Sequence, residues 1–248
     1  MQELTVQRGG LNIRGKIYGD TSEKRPMFIL SHGYLANQSM CTKYAKLLAG
    51  MGFISVTFDF CGGGVISSSD GKSENMTVLT EIEDLTAVVD YISAQEYTDS
   101  ISLLGCSQGG LVSAMLTKKL KDRIKSLVLM YPALCIPDDA RKGKMMLFSF
   151  DPNNIPDILC TVPMKISGEY AKAVIDMDPY AEIGGFDGPV LYLHGTADRI
   201  VDIEYARKAY GLYPNCRYHE IKGGGHIFRG ESNREACRLL KEFAADLL

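Results

Sequence analysis

The chain has 248 residues, which suits one domain or one domain carrying an insertion, and its 46% hydrophobic residues can bury a sizeable core. Its 27 Lys and Arg against 30 Asp and Glu leave a net charge of only −3. There is no long basic run and no basic patch interleaved with aromatics, so no nucleic-acid partner is expected. No apolar run approaches the ~20 residues that cross a bilayer, so no membrane partner is expected either.

From the N-terminus, apolar β-branched runs alternate with helical patterns. Residues 3–7 and 13–18, split by Gly9-Gly10, read as an antiparallel hairpin. Further strands are expected over 27–31, 54–58, 101–104, 126–130, 190–194 and 217–221. Their inner runs, such as MFIL, SLVLM and VLYL, are continuously apolar, the pattern of strands buried on both faces of a parallel sheet. Helices are expected over 42–51, over 78–94 with Ile82, Leu85, Val89 and Ile92 on one face, and over about 108–120. Two more follow Asp202, which stands at an N-cap position, and span 232–247. This alternation predicts an α/β fold: a mostly parallel eight-stranded sheet with an antiparallel N-terminal hairpin and helices on both faces.

Residues 132–188 break the rhythm. They hold Pro132, Pro137, Pro152, Pro156, Pro163 and Pro179, with Pro189 at the exit, and the apolar runs MMLFSF and ILCTVPM. The segment is too long for an ordinary connection. It reads as an inserted lid between two parts of one core, 1–131 and 189–248, because its apolar residues need something to cover.

The opening MQELTVQRGG lacks the charged-then-apolar pattern of a signal peptide. The seven cysteines are odd in number and scattered, with no CxxC pair. They read as free thiols in a reducing compartment, which predicts a cytoplasmic protein.

Two glycine-rich stretches invite chemistry. FDFCGGGVISSSDGKS, residues 58–73, follows a strand and ends in Gly71-Lys72-Ser73, as a phosphate-binding loop would. Such a loop needs a glycine five positions before Gly71, where this chain has Ile66; Gly64 is two residues too early. Its N–H groups must curl around phosphate oxygens in a fixed spacing, so nucleotide binding is not expected and Lys72 reads as a solvated residue. The second stretch is LLGCSQGGLVSAM, in which Gly105-Cys106-Ser107-Gln108-Gly109 forms G-x-S-x-G between an apolar strand and a helical pattern. That is the strand–turn–helix of a nucleophile elbow. A tight turn presents the Ser107 hydroxyl at the strand tip, and side chains at Gly105 and Gly109 would collide with neighbouring elements. A serine N-cap is the bland alternative.

A serine needs a base, and the chain has four histidines. His219 sits mid-strand and His194 ends a strand. His226, in KGGGHIF, stands past the last strand where glycines let the imidazole swing toward a neighbouring strand tip. Asp198, in HGTADRIV, follows the strand before it and suits the acid that fixes the tautomer of His226. The oxyanion donors expected are the backbone N–H groups of Gln108, after the serine, and Tyr34, in the Ser31-His32-Gly33-Tyr34 loop. His32 is expected to hold that loop and take no part in proton transfer. Asp59 is expected to fasten the glycine loop near the same segment, with Gly62–Gly64 passing close to the oxyanion site.

Together, the SHGY loop, the GCSQGG elbow, HGTAD and GGGHIF resemble the α/β-hydrolase superfamily over nearly the whole chain. Within it, FDFCGGG…SDGKSENMTVLTEIEDL, the elbow and the lid are similar to small bacterial carboxylesterases of the feruloyl/cinnamoyl type. The resemblance implies two-step acyl transfer on a small-molecule ester, with Ser107, Asp198 and His226 as the triad and no metal or organic cofactor. The chain departs from that type at Cys106, where a histidine is common, and in a longer loop after Asp59. It has no tryptophan, so lid aromatics that meet substrate are expected among Phe148, Phe150 and Tyr170. The same triad would serve an aminopeptidase, a monoacylglycerol lipase or a thioesterase, and a binding module that kept the fold without activity is the alternative outside enzymes.

Overall fold

The computed structural model describes residues 1–146 and 148–248. Its strands are β1 (Gln2–Arg8), β2 (Leu11–Tyr18), β3 (Arg25–Ser31), β4 (Ile54–Phe58), β5 (Thr98–Cys106) and β6 (Ile124–Met130). Four short strands follow: β7 (Lys144–Met145), β8 (Phe148–Ser149), β9 (Ile158–Cys160) and β10 (Ile166–Ser167), before β11 (Val190–Gly195) and β12 (Cys216–Ile221). The helices are α1 (Thr42–Ala49), α2 (Val78–Ser93), α3 (Gln108–Lys119), α4 (Ile136–Arg141), α5 (Glu169–Lys172), α6 (Pro179–Glu182), α7 (Ile203–Ala209) and α8 (Gly230–Ala245). The main sheet runs β1-β2-β4-β3-β5-β6-β11-β12. β1 and β2 pair antiparallel, β2 meets β4 antiparallel, and β4 through β12 are mutually parallel.

The continuous apolar runs supply both faces of this sheet. Met27 and Ile29 of β3, Leu103 of β5 and Leu127 and Leu129 of β6 face one core, which α2 and α3 cover. Phe28, Leu30, Leu104 and Val128 alternate with them and face a second core under α1 and α8. A period of two along a strand buried on both sides produces this division. β1 lies at the edge, and Leu4 and Val6 are its buried residues. α2 starts at a reciprocal cap between Thr77 and Thr80. The Asp202 carboxylate accepts the Glu204 N–H at the start of α7, as its cap position predicted.

Residues 132–188 leave the sheet after β6 and return to it at β11, beside β6. The segment contains only short elements: α4, a β7–β8 pair, a β9–β10 pair, α5 and α6. Leu147, within the MMLFSF run, lies outside the described residues. The segment is fastened to the core by the end of the glycine loop. Ser73 Oγ donates to the Lys165 carbonyl at 2.7 Å, Ser167 Oγ donates to the Glu74 carbonyl at 2.6 Å, and Lys165 Nζ lies 2.6 Å from Glu74 Oε1.

Candidate active site

Ser107 stands between β5 and α3 at φ +54° and ψ −121°, outside the regions that ordinary side chains occupy. The turn survives because its neighbours are glycines. A Cβ on Gly105 would lie 2.2 Å from the Gly109 carbonyl oxygen, and one on Gly109 would lie 2.3 Å from that of His32. Around them the Ser107 N–H donates to the Met130 carbonyl at 3.0 Å, and the Ser107 carbonyl accepts from Ala133 at 2.9 Å. The elbow is thereby tied to β6 and to the first residues of the insertion.

The serine hydroxyl meets a histidine from the far side of the sheet edge. Ser107 Oγ is 2.8 Å from His226 Nε2, and His226 Nδ1 is 2.8 Å from Asp198 Oδ2. The loops that bring these groups together interlock through glycine: a Cβ on Gly195 would lie 2.1 Å from the Gly224 carbonyl oxygen, which accepts from Ala197 N–H at 2.9 Å. The Asp198 side chain is buried, and its Oδ1 accepts from the Ile200 and Val201 N–H groups at 2.9 and 3.0 Å. Burial pushes its carboxyl up. The imidazoles of His194 and His226 and the Val201 N–H outweigh burial and hold it well below the ordinary carboxylate range. His194, the other strand-end histidine, is wholly buried behind the acid, with Nε2 2.9 Å from the Val201 carbonyl and 3.3 Å from Asp198 Oδ2.

On the other side of the serine, Gly33 comes so close that an added Cβ would lie 2.9 Å from Ser107 Cβ. The Gly33–Tyr34 backbone therefore abuts the hydroxyl. Neither the Tyr34 nor the Gln108 N–H donates to a protein acceptor among the described residues. His32 fixes this loop from beneath: Nδ1 donates to the Gly33 carbonyl at 2.8 Å, and Nε2 accepts from Phe60 N–H at 3.1 Å. Burial lowers its pKa, so it stays neutral in that tautomer. Asp59 joins the two loops by accepting from Gln38 N–H at 2.6 Å and Ser68 N–H at 2.7 Å.

The glycine loop sits one residue further from the chemistry than its sequence implies. Gly64 bridges to Leu35, and a Cβ there would lie 2.0 Å from the Ala36 carbonyl oxygen. Gly64 thus supports the segment after Tyr34, Gly62 packs against Lys72 and Gly63 against Phe60, and none of the three lines the cavity above Ser107. The Lys72 side chain is exposed.

That cavity has a volume of about 640 Å³. Ser107, Gln108 and His226 form its floor, and Ile136, Met145, Phe148, Ile200 and Val201 are among its apolar walls. Phe148 and Tyr170 line it. Phe150 does not: it lies beyond the β7–β8 pair, where its N–H bonds the Gly143 carbonyl and its side chain packs on the core. Asp139 and Cys135 also line the cavity, and the sequence had not singled them out. Burial raises the Asp139 carboxyl, giving a half-buried acceptor inside an apolar pocket. Among the described residues no group of three or more His, Cys, Asp or Glu side chains is placed to share a metal ion. No helix among them is long and apolar enough to cross a membrane.

The parallel sheet with its antiparallel hairpin, and a serine, a histidine and an acid at its carboxyl edge, define a serine hydrolase of the α/β-hydrolase type. The chain belongs to the Hydrolase_4 family, described as serine aminopeptidase, S33, whose pattern matches residues 22–172. It is similar to Est1E from Butyrivibrio proteoclasticus, in a structure with ferulic acid bound, at 28% identity and a TM-score of 0.91 over 98% of both chains. A monoacylglycerol lipase from Paleococcus ferrophilus shares the fold, with 23% identity and a TM-score of 0.73 over 94% of this chain and 98% of that one. A Mycoplasma pneumoniae protein bearing an esterase/lipase name is 28% identical over 138 residues, 55% of this chain. The matched region spans 49% of that relative's length.

Proposed function

We propose that the protein is a serine carboxylesterase acting on small to medium acyl or hydroxycinnamoyl esters through an acyl-enzyme, with Ser107, His226 and Asp198 as its triad. One observation carries this reading: the 2.8 Å contacts from Ser107 Oγ to His226 Nε2 and from His226 Nδ1 to Asp198 Oδ2, at the floor of an apolar cavity. As Ser107 Oγ attacks the ester carbonyl carbon, its proton passes to His226 Nε2, and Asp198 stabilises the imidazolium. The carbonyl oxygen takes the negative charge and meets the N–H groups of Tyr34 and Gln108. Collapse breaks the bond to the alcohol, which leaves with the proton from Nε2. Water then repeats the sequence on the acyl-enzyme, with His226 as base, and releases the acid.

Residues 132–188 act in this reading as a lid that supplies the acyl wall through Phe148 and Tyr170. Asp139 is placed to accept a hydrogen bond from a hydroxyl carried by the acyl group, which favours phenolic acyl groups over plain alkyl ones. The likeness to Est1E, which binds ferulic acid, supports the same choice. Asp139 also favours a second reading in line with the family's description, since a half-buried carboxylate can bind an α-ammonium group: an aminopeptidase. A panel of feruloyl esters, p-nitrophenyl acyl esters, acyl-CoAs and aminoacyl anilides separates them. Esters are expected to dominate and Ser107→Ala to abolish turnover with the fold intact. Dominant anilide turnover would overturn the esterase reading in favour of the aminopeptidase.

A further inference from the structure

Tyr34 and Gln108, whose backbone N–H groups face the serine, meet through their side chains on one residue of the insertion. Tyr170, in α5, is 3% exposed and Gln108 is 1% exposed. The Tyr170 hydroxyl donates to Gln108 Oε1 at 2.5 Å. The other end of that carboxamide, Nε2, reaches Met76 Sδ at 3.8 Å. The Tyr170 ring lies 5.7 Å from the Tyr34 ring, tilted by 32° to it. At neutral pH a phenol carries its proton, and a carboxamide oxygen can only accept. The Tyr170 proton is therefore committed to Gln108, while the ring still lines the cavity.

Both N–H groups stand beside a left-handed residue that is not glycine. Ser107, at φ +54°, precedes Gln108, and its ψ of −121° sets the direction of the Gln108 N–H. Leu35, at φ +62°, follows Tyr34. Such conformations persist only where the surroundings fix them. The carbonyl of the peptide between Ser107 and Gln108 is held by the Ala133 N–H, from the start of the insertion. The Gln108 side chain is held by Tyr170, from near the insertion's end. Tyr170 is fixed in turn: the Ser167 hydroxyl donates to the Glu74 carbonyl, and the Gly168 N–H donates to the Asp157 carbonyl at 2.8 Å.

We propose that Tyr170 is a positioning residue for the oxyanion site: its hydroxyl bond to Gln108 and its ring against Tyr34 set the two N–H donors, so that docking of the insertion completes the site. This rests on the acyl-enzyme reading, in which those N–H groups meet the oxyanion. Donors of this kind act only when aimed at the place where the charge develops, so a small loss of aim lowers kcat more than it weakens substrate binding.

Tyr170→Phe keeps the ring and removes the bond. It is expected to lower kcat about ten-fold with KM within about two-fold, and to do so equally for p-coumaroyl and cinnamoyl esters, which differ only in the phenolic hydroxyl. A hydroxyl that bound the substrate would slow the p-coumaroyl ester alone. An aryl trifluoromethyl ketone adds Ser107 Oγ to its carbonyl carbon and leaves an oxyanion. Its affinity is expected to fall about ten-fold in the variant, while that of the product acid stays within about two-fold. Gln108→Leu keeps the backbone N–H and removes the acceptor. It is expected to match Tyr170→Phe, and the double variant to lose no more than either alone. Wild-type kcat in Tyr170→Phe, a loss confined to the p-coumaroyl ester, or losses that multiply in the double variant would overturn the proposal. Should Tyr170→Phe fail to fold, the ketone affinity of Gln108→Leu decides, and a wild-type value overturns it. Undiminished turnover in Ser107→Ala would remove the acyl-enzyme reading and this proposal with it. An inactive Ser107→Ala beside a fully active Tyr170→Phe would overturn this proposal alone.

Discussion

Asp198 meets two imidazoles and two backbone N–H groups. That set is what keeps a carboxylate ionised at a buried position. Because its pKa is depressed in the folded state, its stabilising contribution is present above the unfolded value, ~3.9, and is lost as pH falls through the folded value. The Tm advantage of wild type over Asp198→Asn is thus expected at neutral pH and to shrink below about pH 4. Thermal melts of both proteins from pH 6 to pH 2.5 check this, and a constant difference contradicts it. Asp198→Asn is also expected to lower kcat by about 10⁴-fold through loss of the right His226 tautomer. The sequence pointed to Asp198 and His226 because each follows a strand at the carboxyl edge. It left His194 as a rejected base, since no local pattern shows that the same strand end folds its imidazole behind the acid four residues on.

At the scale of elements, two glycine-rich loops have different roles. The elbow glycines make room for backbone, which is why G-x-S-x-G between a strand and a helix could be read directly. The glycine loop was legible in what it is not and in its anchor at Asp59, which accepts from Gln38 and Ser68 N–H groups. Its spacing excluded a phosphate cradle, yet its contacts with Leu35 and Ala36 and its hold on the insertion depend on chain segments far away in sequence. Ser73, the last residue of its Gly-Lys-Ser, fastens residue 165, and Ser167 returns the bond to Glu74. Each such bond contributes about 1 kcal/mol. Ser73→Ala with Ser167→Ala is therefore expected to loosen the insertion without unfolding the core. Hydrogen exchange should rise over residues 158–172 and stay unchanged in β3, β5 and β6. Protection unchanged over 158–172 contradicts this latch. Phe150 shows the limit of reading the insertion from composition: the lack of tryptophan named it beside Phe148, but the β7–β8 pair ends before it and it does not line the cavity.

For the whole molecule, the parallel strands collect residues separated by more than a hundred positions at one edge. Ser107 follows β5, Asp198 follows β11, and His226 follows β12, and the strand order sets β6 between the serine and the acid. All eight strands could be located in the sequence: continuous apolar runs mark the inner strands buried on both faces, and the outer β1 and β2 are marked by the turn at Gly9-Gly10 between them. The insertion could not be resolved into elements, because strands of two or three residues leave no periodicity to read. The acyl-enzyme is the step on which the functional account depends. Intact-mass and peptide analysis after quenching turnover of a feruloyl or p-nitrophenyl ester tests it most directly. The account predicts one acyl group per chain, on Ser107, and none in Ser107→Ala. An acyl group on another residue, or wild-type turnover by Ser107→Ala without any adduct, would contradict it.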